Sequence, residues 1–280
     1  NPPFGSRVEK SLEITEADVE TDVQKIAAYE KKYGKEVYQQ ARSQINDHIG
    51  DSVLDLYTVG KLSGLTEVLF IERCIRLLKP GGRLGIVLPE GVLNNTNLQA
   101  VRELFEEMAK IILITSIPQD VFMASGATVK PSLLFFKKFT TEERAQFDAI
   151  KQAATEEVGS KYQSQLDKID SFLAERGNSA EEKKAKRAER RALETKIAAE
   201  IWAIVKEKFD YTIPIAQVEK AGITTTGAEC ENQLIDLLEE FTPYRKKHHM
   251  WASNELKFHY EIVDNKVVRT DQDGNTKELC

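Results

Sequence analysis

A helix, a glycine-rich turn and an apolar run follow one another in residues 69–89, and this succession constrains the fold more than any other feature of the chain. Leu69-Phe70-Ile71-Glu72-Arg73-Cys74-Ile75-Arg76-Leu77-Leu78 has the spacing of an amphipathic helix, and Lys79-Pro80-Gly81-Gly82 ends it. Arg83-Leu84-Gly85-Ile86-Val87-Leu88-Pro89 is then a short apolar run of the kind expected in a strand buried on both faces. Together they make half of an α/β unit. A helix near residues 97–109, a strand around Ile111-Ile112-Leu113-Ile114, a loop through Ser125-Gly126-Ala127 and a third strand over Ser132-Leu133-Leu134-Phe135-Phe136-Lys137 extend the pattern. The expected class is α/β, an open sheet flanked by helices.

The 280 residues suffice for one sizeable core and a smaller second unit. Three regions separate by composition: 1–140, a charged helical hairpin over 141–208, and a mixed tail over 209–280. Within the first, residues 11–60 read as a polar helical insertion, with Val19, Val23, Ile26 and Tyr29 at helical spacing. In the second, Tyr162, Leu166, Ile169 and Leu173 form one apolar stripe and Leu193, Ile197, Ile201 and Val205 another. Arg176-Gly177-Asn178 breaks the pattern between them, and Ser179 with Glu182 fits a capping box opening the second helix. The tail shows a glycine-containing loop at 222–227, an acidic helix near 230–241, and a hairpin of Tyr260–Val263 with Lys266–Arg269 about Asp264-Asn265.

No apolar run approaches the roughly 18 residues that span a bilayer, so no membrane partner and a cytoplasmic location are expected. Cys74, Cys230 and Cys280 lie too far apart in sequence to suggest a zinc site or a disulfide framework. A net charge of −6 does not favour nucleic-acid binding overall, so any phosphate contact must come from local patches. The chain opens on Asn1 without a methionine and reads as a piece of a longer or processed protein.

The opening Asn1-Pro2-Pro3-Phe4 carries the most specific chemistry. A side-chain carbonyl on Asn1 and the Pro2 main-chain carbonyl, on a backbone stiffened by Pro3, are two hydrogen-bond acceptors on a rigid frame. Phe4 adds an aromatic face. Such a set suits a planar ring bearing an amine; taken alone, it is equally well a rigid turn.

The blocks that follow decide between the two. Asn1-Pro2-Pro3-Phe4-Gly5, Leu69 through Arg83, Ile86-Val87-Leu88-Pro89-Glu90-Gly91-Val92-Leu93 and Phe122 through Lys137 occur in an order that resembles one family, with a weaker echo at Val218 to Gly227. It comprises the modification subunits of type I restriction enzymes and related N-6 adenine DNA methylases. The resemblance implies the carboxy-terminal half of a Rossmann-like, S-adenosylmethionine-dependent methyltransferase sheet, with a helical insertion and a carboxy-terminal helical extension. Residues 1–140 would be its target-base half. Asn1 and Pro2 would grip the amine of an adenine flipped out of double-stranded DNA, Pro3 would stiffen the grip, and Phe4 would stack on the base. The loop from Phe122 to Lys130 would lie near that base, with Lys130 a candidate DNA contact. Specificity and restriction subunits are the partners implied. The family's main S-adenosylmethionine site lies before the tetrapeptide, so the 280-residue chain alone is expected neither to hold the donor nor to methylate DNA.

Other signals are weaker. Lys79-Pro80-Gly81-Gly82-Arg83 lacks the Gly-Lys-Ser/Thr of a phosphate loop and reads as a helix-to-strand turn. The basic run from Lys183 to Arg191 is interleaved with Glu189 and reads as a solvated helix face. Arg245, Lys246 and Lys247 are less compensated and are the better phosphate contacts, whereas His248 and His249 lack metal-ligand spacing. Two other functions remain open: a non-catalytic module binding DNA or a partner subunit, with the 160–206 hairpin as its docking face, and a methyltransferase acting on RNA or protein.

Overall fold

A computed structural model describes residues 1–124, 126, 128–175, 177–250, 258–263, 266–271 and 276–279. The excursion near the start is closed by pairing at its base. Ile14 donates to Asp51 O at 2.9 Å, Gly50 to Ile14 O at 2.8 Å and Val53 to Leu12 O at 2.9 Å. Between these points lie α1 (Val23–Tyr33) and α2 (Lys35–Asn46). Asp22 caps α1 by accepting from Gln24 N and Lys25 N, and Gly34, at φ 92°, ends it. Neither helix has a buried residue, and Val23 is 78% exposed. Of the insertion expected over 11–60, only the α-helical part, 23–46, is a surface excursion; Ile14, Leu54 and Val59 at its two ends are buried, and 16–18, 53–56 and 59–61 form short 3-10 turns.

The helix and strand expected around Lys79–Arg83 are α3 (Thr66–Leu77) and β1 (Arg83–Pro89). The glycine turn connects them, with Gly81 at φ 74°. Then come α4 (Gly91–Asn94), α5 (Gln99–Glu106), β2 (Ala109–Ser116), α6 (Asp120–Met123) and β3 (Pro131–Lys138). A short β4 (Ile215–Gln217) completes a four-stranded sheet of order β1-β3-β2-β4. β3 runs antiparallel between β1 and β2, and β4 pairs parallel to β2.

One sheet face is the main core. Ile86, Leu88, Leu134 and Phe136 pack there against Val68, Ile71 and Ile75 of α3 and Val101 and Phe105 of α5. The other face corrects the expectation for β1. Arg83 and Gly85 are exposed and Val87 is only half-buried, so β1 is buried on one face alone. Its second face, with Leu113, Leu133 and Phe135, lines a cavity of about 620 Å³ roofed by Leu234, Leu237 and Phe241. The run is apolar on both faces because both meet apolar neighbours, but the second cover is loose. Gly85 belongs here because a Cβ would come within 2.9 Å of the Phe135 ring.

The charged stretch forms α7 (Thr141–Ala174) and α8 (Ala180–Lys208). Thr140 with Glu143 and Ser179 with Glu182 make the two capping boxes. Tyr162 and Ile169 of one stripe and Val205 of the other are buried. Glu200 ties the pair together, accepting from Tyr162 Oη at 2.5 Å and Lys161 Nζ at 2.8 Å. Within the basic run Lys186 pairs with Glu189 and Arg190 with Asp170 and Glu194. At its root the hairpin meets the sheet through Phe139, Phe147 and Phe209, whose ring centroids lie 5.3–5.4 Å apart. Tyr211 Oη accepts from Ile111 N at 3.2 Å, and burial pushes this phenol up to about 12.

β5 (Ala221–Ile223) and β6 (Glu229–Asn232) pair antiparallel and lead into α9 (Gln233–Lys247), which continues past Pro243. β7 (Phe258–Val263), β8 (Lys266–Asp271) and β9 (Thr276–Leu279) form a separate antiparallel sheet. Val263 pairs with Lys266 as expected of the hairpin, while Asp264 and Asn265 lie outside the described residues, as do Ser125, Ala127, Arg176 and Cys280. Among the described residues no helix is long and apolar enough to cross a membrane.

At the junction of sheet and hairpin, Glu143 accepts from Lys110 Nζ at 2.9 Å and Lys137 Nζ at 3.0 Å. Burial pushes its carboxyl up, but the Thr140 N–H and the two ammonium groups outweigh it and hold the group below the ordinary carboxylate range. A carboxyl depressed by folding stabilises fully above its unfolded value, about 4.3, and loses that contribution as pH falls through its folded value. The stability gap between the wild type and Glu143→Gln should therefore shrink as pH is lowered below about 4.3. Denaturant titrations at a series of pH values check this; a gap independent of pH would show that the cluster does not depend on the charge.

Candidate active site at the opening tetrapeptide

The tetrapeptide lies beside the first turn of α3 and the short helix α6. Pro2 is buried while Asn1 and Pro3 are exposed, so the rigid pair is seated by one ring and leaves the Asn1 carboxamide accessible. Phe4 is half-buried and meets the edge of Phe122 with ring centroids 5.6 Å apart and planes at 78°. Gly5 follows at φ 72°, a left-handed conformation that favours glycine and turns the chain away from the ring.

Phe122 is held in place by the loop around it. Gln119 Nε2 donates to Thr128 O, and Gly126 N donates to Met123 O at 2.9 Å. The loop rejoins the sheet at Lys130, whose carbonyl accepts from Glu90 N at 2.9 Å. The Lys130 ammonium stands 3.5 Å from Glu90 Oε2, both side chains being partly exposed. An exposed pair of this kind contributes little, so Lys130 could exchange Glu90 for a phosphate at small cost.

The other basic candidates are elsewhere. Arg245, Lys246 and Lys247 form the last turn of α9. Arg245 lies over the cavity on the sheet, and Tyr244 and His248 border a cavity of about 280 Å³ with Lys110 and Lys137. That position is where β2 begins, whereas Phe122 follows its end. The structure thus brings Asn1–Phe4 together with the Phe122–Lys130 loop but not with the basic turn of α9.

The sequence profile described as N-6 DNA methylase matches residues 3–199, well over half of the chain. The chain belongs to the N-6 DNA methylase family. Comparison with curated proteins gives no match. Among solved structures, a Vibrio vulnificus YJ016 protein described as a modification subunit of a type I restriction enzyme aligns at 21% identity and TM-score 0.31, over 49% of this chain and 22% of that one. A chain from a study of complex assembly and conformational transition of the type I restriction-modification system aligns at 34% identity and TM-score 0.25, over 27% and 16%. A Listeria monocytogenes protein described as a class I S-adenosylmethionine-dependent methyltransferase aligns at 23% identity and TM-score 0.28, over 31% and 27%. This N-6 DNA methylase chain therefore spans about a quarter or less of each of these proteins.

Sequence reasoning missed one residue of this site. Glu67 of α3 is 4% exposed, accepts from Gly5 N at 3.3 Å through Oε1, and has no partner for Oε2 among the described residues. Acids in a first helical turn are commonplace, so nothing in the sequence marks this one as turned inward.

Proposed function

We propose that residues 1–140 form the target-base side of an adenine-N6 DNA methyltransferase, the modification subunit of a restriction-modification system. The observation that carries this reading is the accessible Asn1 beside a seated Pro2 and a Phe4 ring braced by Phe122, in a chain of the N-6 DNA methylase family. The amine of adenine is a poor nucleophile because its lone pair is delocalised into the ring. The Asn1 side-chain oxygen and the Pro2 carbonyl each accept one of its N–H bonds, which turns the nitrogen towards a tetrahedral, more nucleophilic state. Phe4 offers a face to the extruded base.

S-adenosylmethionine is the methyl donor this reading requires, and it supplies an electrophilic methyl on a sulfonium centre. The cavity of about 620 Å³ on the sheet does not fit it: it is lined mainly by apolar side chains, among them Leu84, Leu113, Leu133, Phe135 and Leu237, and lies under α9 with no residue of the tetrapeptide in its wall. No part of the reaction assigned to this chain runs through donor-binding residues. Double-stranded DNA is the substrate proposed, with specificity and restriction subunits as partners.

The test is Phe4→Ala in the full-length protein. Base-aromatic stacking is worth about 1–3 kcal/mol, so methylation should fall about 5- to 150-fold, while DNA affinity, set largely by phosphate contacts, changes little. Filter binding and methyl incorporation on the same DNA separate the two. Equal losses in both assays would remove the stacking role.

A further inference from the structure

The segment that follows the tetrapeptide is fastened to the start of α3 at three points. Val8 N donates to Gly64 O at 2.9 Å, Thr66 N donates to Ser6 O at 2.9 Å, and Gly5 N donates to Glu67 Oε1 at 3.3 Å. The third is the nearest to the tetrapeptide and the only one made by a side chain. Pro2 and Pro3 have no N–H, so Gly5 offers one of the few main-chain donors by which the motif can be held. Holding it fixes the plane of the Phe4–Gly5 peptide just where the chain turns.

The base of this strap is rigid. Val68, Ile71 and Ile75 of α3 are wholly buried in the main core, so the first turn of the helix cannot shift without disturbing the sheet. Gly64 lets the strap lie close, because a Cβ there would come within 2.9 Å of Val8 O.

Glu67 is a costly way to make one long hydrogen bond. Its carboxyl is buried, and Oε2 has no donor among the described residues, whereas a buried polar atom left unsatisfied is destabilising. Alanine at this helical position would spare that cost and has the better helix propensity. Stability alone therefore does not account for the residue, and among the described residues the one hydrogen bond its carboxyl makes is to the Gly5 N–H that follows the motif.

We propose that Glu67 is a positioning residue that acts through the Gly5 N–H to hold Asn1–Phe4 in register with the target base. This rests on the methyltransferase reading above. A displacement of about 1 Å in a reacting group can cost about 100-fold in rate, so the effect belongs in kcat more than in binding.

The experiment uses the full-length protein and the variants Glu67→Ala, Glu67→Gln and Gly64→Ala, each checked for cooperative thermal unfolding, with the midpoint of Glu67→Ala expected at or above that of the wild type. Glu67→Ala should lower kcat by about 10- to 100-fold with the KM for DNA changed less than about threefold. Glu67→Gln keeps a carbonyl oxygen for the Gly5 N–H and should recover kcat to within about fivefold of the wild type. Gly64→Ala, which forces the strap outward, should show the same kcat-against-KM split as Glu67→Ala. The proposal is overturned if Glu67→Ala matches the wild type, if glutamine is as impaired as alanine, or if kcat, DNA affinity and thermal midpoint all fall together. If the unsubstituted protein transfers no methyl group to DNA, the methyltransferase reading itself fails and the assignment of Glu67 falls with it; if only the Glu67 variants behave unexpectedly, that reading stands.

Discussion

Replacing Asn1 by alanine in the full-length protein is expected to lower methyl transfer by about 100- to 1000-fold, the loss typical when one preorganised partner of a reacting group is removed. In the proposed geometry the target amine gives one N–H to the Asn1 side chain and one to the Pro2 carbonyl. Alanine leaves the second acceptor in place, so the base can still enter, but the amine keeps one free N–H and stays planar with its lone pair in the ring. The interaction is strongest when the nitrogen becomes tetrahedral, so its loss should appear in kcat rather than in DNA affinity. Asn1 is exposed, and truncating it leaves no buried cavity. The folded state should therefore be unaffected. Asn1→Asp keeps an acceptor oxygen and should retain more activity than Asn1→Ala. Single-turnover methylation with matched DNA-binding measurements gives the answer. An alanine variant within about threefold of wild type would show that Asn1 does not bear on the amine.

Local patterns were the legible part of this fold. β1 falls on Arg83–Pro89 as its apolar run and flanking glycine turn require, and α8 begins where Ser179 and Glu182 place it. These features are encoded within a few residues of where they act. Long-range covering was not legible. β4 is three residues, Ile215–Gln217, with Ile215 76% exposed, and it exists only because β2 has a free edge to pair with. The second face of β1 looked deeply buried because its residues are apolar. How closely that face is covered depends on α9, a helix about 150 residues later, which runs to Lys247 where the sequence pattern marked an acidic helix only near 230–241. The tetrapeptide could be found by composition, but its support could not. The contact of Glu67 with Gly5 spans 62 residues, and that of Phe4 with Phe122 spans more.

Glu72 carries the largest expected effect on stability, and Glu72→Ala should cost about 3–5 kcal/mol. Its side chain is fully buried. Oε1 accepts from Thr58 N at 2.9 Å and from Arg76 at 2.5 Å, and Oε2 accepts from Val59 N at 2.8 Å. Those main-chain donors belong to a tight turn that cannot satisfy them itself. Val59 is wholly buried, and Gly60 is so close to the preceding turn that a Cβ would sit 2.0 Å from Leu54 O. Alanine would orphan both N–H groups, leave a void against α3 and remove the partner of Arg76, which would keep only Thr58 Oγ1 at 2.8 Å and Leu56 O at 3.5 Å. Leucine would fill the void but could not help, because the unsatisfied donors are main chain and cannot be mutated away. Glutamine retains one acceptor and turns an N–H towards the other donor, so its cost should fall between wild type and alanine. The same turn leads into Gly64, where the strap to Val8 is made, so loosening it should also release the tetrapeptide. Urea unfolding of the three variants, followed by fluorescence, measures the order Gln, then Leu and Ala. A loss below about 1 kcal/mol for alanine would mean that water reaches the turn and satisfies those donors in place of Glu72.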